Sequence, residues 1–168
     1  MLMRSQLALL FLYFTCLFNL MSCIHFNIGN SEPEKAKDID YKSPPSPYER
    51  IKNSDTDYAW QSRKTGNMIA ISSNCSKNSD KSLQQAFQDV SKGFDRTEDI
   101  KQEPFFYNGR EALRGIVKGS IDGIAATIDV VLLNKNQCFY QLTYSGVSNQ
   151  FSEEKNIFEN FIKDFKAP

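Results

Sequence analysis

From Tyr58 onward the chain predicts an α+β fold: a largely antiparallel six-stranded sheet with two helices packed on it, in the order ββαββββα. Three observations carry that expectation. The run Ile124 to Leu133 alternates so that Ile124, Ala126, Ile128, Val130 and Leu132 share one face, which is the period of a strand. Asn108-Gly109, set between two further alternating runs, is the strongest short hairpin signal in the chain. Two other segments, near Lys81 and near the end of the sequence, carry apolar residues at helical spacing instead.

Taken in order, Tyr58 to Arg63 and Asn67 to Asn74 read as strands joined by the Gly-containing turn Lys64-Thr65-Gly66-Asn67. Ile69 and Ile71 point inward, and Trp60, the single tryptophan, is expected in the core. A helix follows over Lys81 to Lys92. Ser82 and Gln85 form a capping box, with Ser79 as an earlier candidate cap, and Leu83, Ala86, Phe87, Val90 and Phe94 make the buried stripe. Gly93 is placed as a left-handed C-terminal glycine. Ile100 to Tyr107 is a strand whose Pro104 assigns it to an edge or a bulge. Arg110 to Lys118 pairs back on it through Asn108-Gly109. Gly119 to Gly123 turns the chain into the strand Ile124 to Leu133, whose Val131 and Leu133 imply a far end covered on both faces. After a turn at Asn134-Lys135-Asn136, Gln137 to Ser145 is the sixth strand, with Cys138, Tyr140, Leu142 and Tyr144 on one face. The last element is a helix over Glu153 to Lys166 with Ser152 as its N-cap. Its stripe of Ile157, Phe158, Phe161, Ile162 and Phe165 is read as packing on the sheet, because the opposite face is mixed in charge rather than lysine-rich.

Composition narrows the function. Lysine plus arginine and aspartate plus glutamate each number 20, so no net field steers the chain toward nucleic acid. The single histidine, His25, lies before the predicted domain, so a histidine-dependent triad or zinc site inside it is excluded, and no metal is expected. No phosphate loop, dinucleotide fingerprint or GxSxG elbow occurs. Glu111, Asp122 and Asp129 are the acidic residues nearest strand ends, but Asp122 reads as a turn residue and Asp129 as an outward strand position. No catalytic residue is assigned, and an enzyme is not expected.

The start of the chain has a different character. Arg4 precedes an apolar run from Leu7 to Leu20, the shape of a secretory signal and shorter than the roughly 20 residues a spanning helix needs. The run ends in Leu20-Met21-Ser22-Cys23, which resembles the lipobox of bacterial lipoproteins. That resemblance implies removal of residues 1–22, a diacylglyceryl group and an N-acyl chain on Cys23, and attachment to a membrane. Ile24, not aspartate, follows the cysteine, which by enterobacterial sorting implies the outer membrane facing the periplasm. Residues 23–57 are polar and carry Pro33, Pro44, Pro45 and Pro47, so they are read as a disordered tether. Thirty-odd flexible residues would span roughly 30 Å root-mean-square and reach on the order of 100 Å when taut. Ser43 to Pro47 is read as an extended polyproline spacer rather than a docking motif.

The early tryptophan strand, Gly109-Arg110-Glu111-Ala112, the Asp122-Gly123 turn, Cys138-Phe139-Tyr140 and the phenylalanine-rich last helix resemble the PsbP fold family. This is the architecture of the extrinsic photosystem II subunit and of a Ran-binding nuclear import factor, over Tyr58 to Lys166. The resemblance implies a fold; its markers are not catalytic, so it supplies no functional residue.

After the anchor only Cys75 and Cys138 remain, and an exported compartment favours a bridge between them over two buried thiols or a redox or metal pair. The function expected is a membrane-anchored, non-catalytic binding or structural module for an envelope protein, monomeric and without a cofactor beyond its acyl chains. The alternative is a carrier for a small apolar ligand held between sheet and helix. A pocket lined by Phe105, Phe106, Tyr140 and Tyr144, with Trp60 as a further surface candidate, is the feature that reading needs.

Overall fold

The computed structural model describes residues 34–52, 55–76 and 81–168. The leader, Cys23, His25 and Ser79 lie outside the described residues. Seven antiparallel strands form one sheet: β1 (Tyr48–Arg50), β2 (Tyr58–Ser62), β3 (Met68–Asn74), β4 (Arg96–Tyr107), β5 (Arg110–Ile121), β6 (Ile124–Lys135) and β7 (Cys138–Val147). Their spatial order is β1-β2-β3-β7-β6-β5-β4. Helix α1 (Leu83–Lys92) follows β3, and a short 3-10 turn (Phe151–Glu154) leads into helix α2 (Lys155–Asp164).

Among the described residues the two helices take opposite faces of the sheet, which makes this unit a three-layer sandwich. On one face α2 lays Phe158, Phe161 and Ile162 over Trp60, Ile69, Ile71, Val131, Leu142 and Tyr144. On the other, α1 lays Ala86 and Phe87 over Leu113, Val117, Val130 and Leu132. The alternation in β6 explains how: Val130 and Leu132 face α1, while Val131 and Leu133 face α2. Gly115 is required by this packing, since a β-carbon built there would stand 2.0 Å from the Phe87 ring.

Local chemistry fixes the turns. Asn108-Gly109 and Asp122-Gly123 both carry positive φ at both central residues, the geometry that matches the twist of a hairpin. The β6–β7 turn is Asn136-Gln137, not the predicted Asn134 to Asn136, because β6 runs on to Lys135. The capping box at Ser82 and Gln85 is formed, with both bonds at 3.2 Å. Pro104 sits in β4, the edge strand, where a missing N–H costs no ladder bond.

Three expectations are corrected. Gly93 is right-handed (φ −71°), because the chain turns directly into the buried Phe94 rather than reversing through a left-handed cap. Ser152 does not cap α2; it lies inside the 3-10 turn, and the helix begins at Lys155. The third correction concerns the tether. Residues 34–52, expected within a disordered span of 23–57, pack on the sandwich instead. Ala36, Ile39 and Tyr41 contact the α2-side core, Asp40 exchanges backbone bonds with Lys166 at 3.1 and 2.8 Å, and Tyr48 is buried in β1. Pro44 is buried, and the Pro45 and Pro47 carbonyls accept bonds from the Tyr48 and Arg63 amides. The scattered apolar residues Ile39, Tyr41 and Tyr48 fill gaps in a surface built elsewhere in the chain, so local composition does not reveal them.

Candidate functional site

The aromatic residues singled out in the sequence do not line one cavity. Neighbours in a strand point to opposite faces, so Phe105 and Phe106 cannot share a pocket. Phe105 is half-buried on the α2 face and stacks on Tyr107 at 5.4 Å. Phe106 faces the other side and is 76% exposed. Tyr140 and Tyr144 are fully buried, packed against Phe165 at 6.0 Å and Phe158 at 5.5 Å. Trp60 is buried between Tyr41 and Phe161, at 5.5 and 5.7 Å. The space an apolar ligand would need between the sheet and α2 is filled by phenylalanine.

Two polar constructions hold α2 in place. Glu154, buried where the 3-10 turn meets the helix, accepts hydroxyl bonds from Thr65 (2.6 Å), Ser62 (2.9 Å) and Tyr48 (3.2 Å). Burial, followed by Tyr144 and Glu154 as neighbours, pushes the Tyr48 hydroxyl well above the ordinary tyrosine range. The second construction is ionic. Arg114 donates from Nε and Nη2 to Asp129 at 3.0 and 2.7 Å, and from Nη1 and Nη2 to Glu159 of α2 at 3.0 and 2.5 Å. Lys155 adds a contact to Asp129 at 3.7 Å. Asp129, read from the sequence as outward-facing, has no exposed side-chain surface. Arg114 was not singled out either, because only the β5–β6 register brings the two together.

Beside this ionic cluster opens a cleft of about 250 Å³, bordered by Lys101, Glu103, Arg114, Ile116, Lys155 and Glu159. Its wall is mixed in charge. The Arg114 hydrogen bond holds the Glu159 carboxyl below the usual glutamate range, and bonds to Asp129 and then Glu159 hold the guanidinium further in its charged form. Both carboxylates are thus occupied as acceptors, which ties the helix to the sheet. Glu111 and Asp122 are separate from this group, Asp122 being a turn residue with φ 51°. Among the described residues no group of three or more His, Cys, Asp or Glu side chains could hold a metal, and no helix is long and apolar enough to cross a membrane.

The cysteine pair is bridged. Cys75 follows β3 and Cys138 opens β7, next to the paired Asn74 and Phe139, and their sulfurs form a disulfide across the two strands. The Cys75 amide also donates to the Glu34 carbonyl at 2.7 Å.

This architecture, an antiparallel sheet between two helices, defines the class as an α+β sandwich of the PsbP type. Among solved structures the chain is similar to the cyanobacterial PsbP protein CyanoP of Synechocystis sp. PCC 6803, with TM-score 0.52, 14% identity, and 89% and 99% of the two chains covered. It is also similar to LpqN of Mycobacterium tuberculosis, a protein involved in cell envelope biogenesis, with TM-score 0.57, 11% identity, and 82% and 86% covered. At such identities the likeness is one of fold. No protein-family profile matches the sequence, and no curated protein sequence matches it.

Proposed function

We propose that this protein is an acylated lipoprotein of the bacterial envelope, held at the membrane through Cys23, whose sandwich is a non-catalytic module for an envelope protein partner. The observation that carries the reading is the Cys75–Cys138 bridge. A disulfide between the two cysteines that remain after the lipobox-like Leu20-Met21-Ser22-Cys23 fits a chain exported to an oxidising compartment. The two features are independent, and both point to the envelope. Ile24 after the cysteine favours the outer membrane under enterobacterial sorting.

The non-catalytic part is supported by how the polar groups are used. Asp129 and Glu159 accept from Arg114, and Glu154 accepts from the Thr65, Ser62 and Tyr48 hydroxyls, so all three carboxylates are engaged in fastening α2. The carrier alternative lacks its pocket, because Phe158, Phe161 and Phe165 occupy the space between sheet and helix. Metabolic labelling with palmitate and membrane fractionation test the anchor. The wild-type chain is expected to take up label and pellet with membranes, and Cys23→Ser to do neither. If the serine variant remains membrane-bound, the lipoprotein reading is lost.

A further inference from the structure

The two edges of the sheet differ in length. β1 is three residues long, whereas β4 runs from Arg96 to Tyr107, and among the described residues no strand pairs with its outer side. The two-residue Asn108-Gly109 hairpin fixes which backbone groups of β4 are free. Tyr107 and Arg110 flank the turn and exchange both backbone bonds, and the pattern repeats at every second residue. Phe105, Glu103 and Lys101 therefore direct their amides and carbonyls to β5, while Phe106, Pro104, Gln102 and Ile100 direct theirs outward. The side chains of that outward row share the α1 face, where Ile100 and Gln102 border a hollow beside Phe87. Phe106 and Ile100 are 76% and 49% exposed there. Lys101 and Glu103 stand exposed on the α2 face with Phe105. Among the described residues Lys101 approaches only Asp99, at 3.7 Å, and Glu103 has no ion pair.

We infer that β4 pairs antiparallel with β4 of a second copy of this chain, about a twofold axis at Gln102, joining the two sheets edge to edge. Charge and backbone chemistry select that axis. An axis at Lys101 sets lysine against lysine, and one at Glu103 sets glutamate against glutamate. An axis at Pro104 makes the two prolines the bonding pair, and neither has an N–H to donate. Axes nearer the ends run into the irregularity between Thr97 and Asp99 or into the Asn108-Gly109 turn. About Gln102, Lys101 of each copy lies opposite Glu103 of the other, at the non-hydrogen-bonded position where facing side chains come closest. Gln102 exchanges both backbone bonds with its counterpart, and the Ile100 amide donates to the Pro104 carbonyl of the second copy. Each exposed Phe106 then lies diagonal to Ile100 of the other chain, within reach of an aromatic ring. Lysine and proline on an edge commonly prevent such pairing, but in this register both are accommodated. The pairing makes a dimer in place of the monomer expected from the sequence, and it does not depend on how Cys23 is modified.

The test is sedimentation equilibrium of the full chain over a concentration series, in a detergent matched in density to the solvent. The wild type is expected to pass from monomer to dimer below about 100 μM. Lys101→Glu turns both attractive pairs into repulsive ones and should raise the dissociation constant by at least about tenfold. Lys101→Glu combined with Glu103→Lys reverses every charge of the pairs and should return the constant to within about threefold of the wild type. Circular dichroism checks that the three proteins fold alike. A wild type that stays monomeric throughout overturns the pairing and leaves Lys101 and Pro104 as guards of a free edge. A dimer indifferent to Lys101→Glu overturns the use of β4. A weakening that the double substitution does not recover overturns the register.

Discussion

Arg114 and Asp129 meet diagonally across the β5–β6 pair, Asp129 standing opposite Ile116, and are joined by two hydrogen bonds, from Nε at 3.0 Å and from Nη2 at 2.7 Å. The Asp129 side chain has no exposed surface, and the Arg114 side chain is 21% exposed. Nη1 and the shared Nη2 reach Glu159, so one side chain fastens α2 to β5 and β6. Such a group is worth more as a positioning device than as a source of net stability, but removing one partner leaves a buried charge without compensation.

Arg114→Met is therefore expected to destabilise the domain by about 3 kcal/mol, near the low end for a broken buried pair because Lys155 still lies 3.7 Å from Asp129. Urea unfolding followed by circular dichroism measures this. A loss below about 0.5 kcal/mol, the range of ordinary surface changes, would mean that the pair contributes nothing.

Glu159 gives the same cluster a pH signature. Its carboxyl is held below the usual range, chiefly by Arg114. The associated stability is present above the ordinary glutamate pKa, about 4.3, and is lost as pH falls through the lower folded-state value. Thermal melts of the wild type should fall more steeply below about pH 5 than those of Glu159→Gln. Parallel profiles for the two proteins would remove the inference.

Tyr140 offers a substitution in the stabilising direction. Its hydroxyl is buried and has no hydrogen-bond partner among the described residues, while its ring packs against Phe165. Tyr140→Phe keeps the ring and removes the unsatisfied group, so stability should be unchanged or raised by up to about 1 kcal/mol. A clear loss in the unfolding midpoint would show that the hydroxyl has a partner in solution.

Gly115→Ala tests the contact between β5 and α1. The added carbon would overlap the Phe87 ring, which must move or displace the helix, at a cost of about 1–3 kcal/mol. Phe87→Leu in the same chain should recover part of that loss. A double-mutant cycle with no coupling energy would separate the two residues.

The disulfide closes a sequence separation of 63, for which chain entropy gives at most about 4 kcal/mol. Cys75→Ser with Cys138→Ser should lower the unfolding midpoint correspondingly, and reductant should shift the wild type toward the double variant. A wild type indifferent to reductant would mean that the bridge adds no stability.

The elements of the fold were legible because each is specified locally. Alternation in Ile124 to Leu133, Asn108-Gly109 and the Ser82–Gln85 capping box act over a few residues, and all appear where the sequence places them. Where the expectation failed, the deciding contact was distant. Tyr48 is buried because Glu154, 106 residues away, receives its hydroxyl, and nothing within residues 34–52 announces that partner.

The sequence by itself determined the alternation of strand and helix and the Asn108-Gly109 hairpin. Tertiary structure alone decided that residues 34–52 belong to the fold, that Asp129 is buried against Arg114, and that Phe105 and Phe106 face apart with Phe106 left in solvent. The physical reason is one of range. Propensity, period and turn geometry are properties of neighbouring residues, whereas burial and charge pairing depend on strand register and on which surface a distant segment finds unfilled.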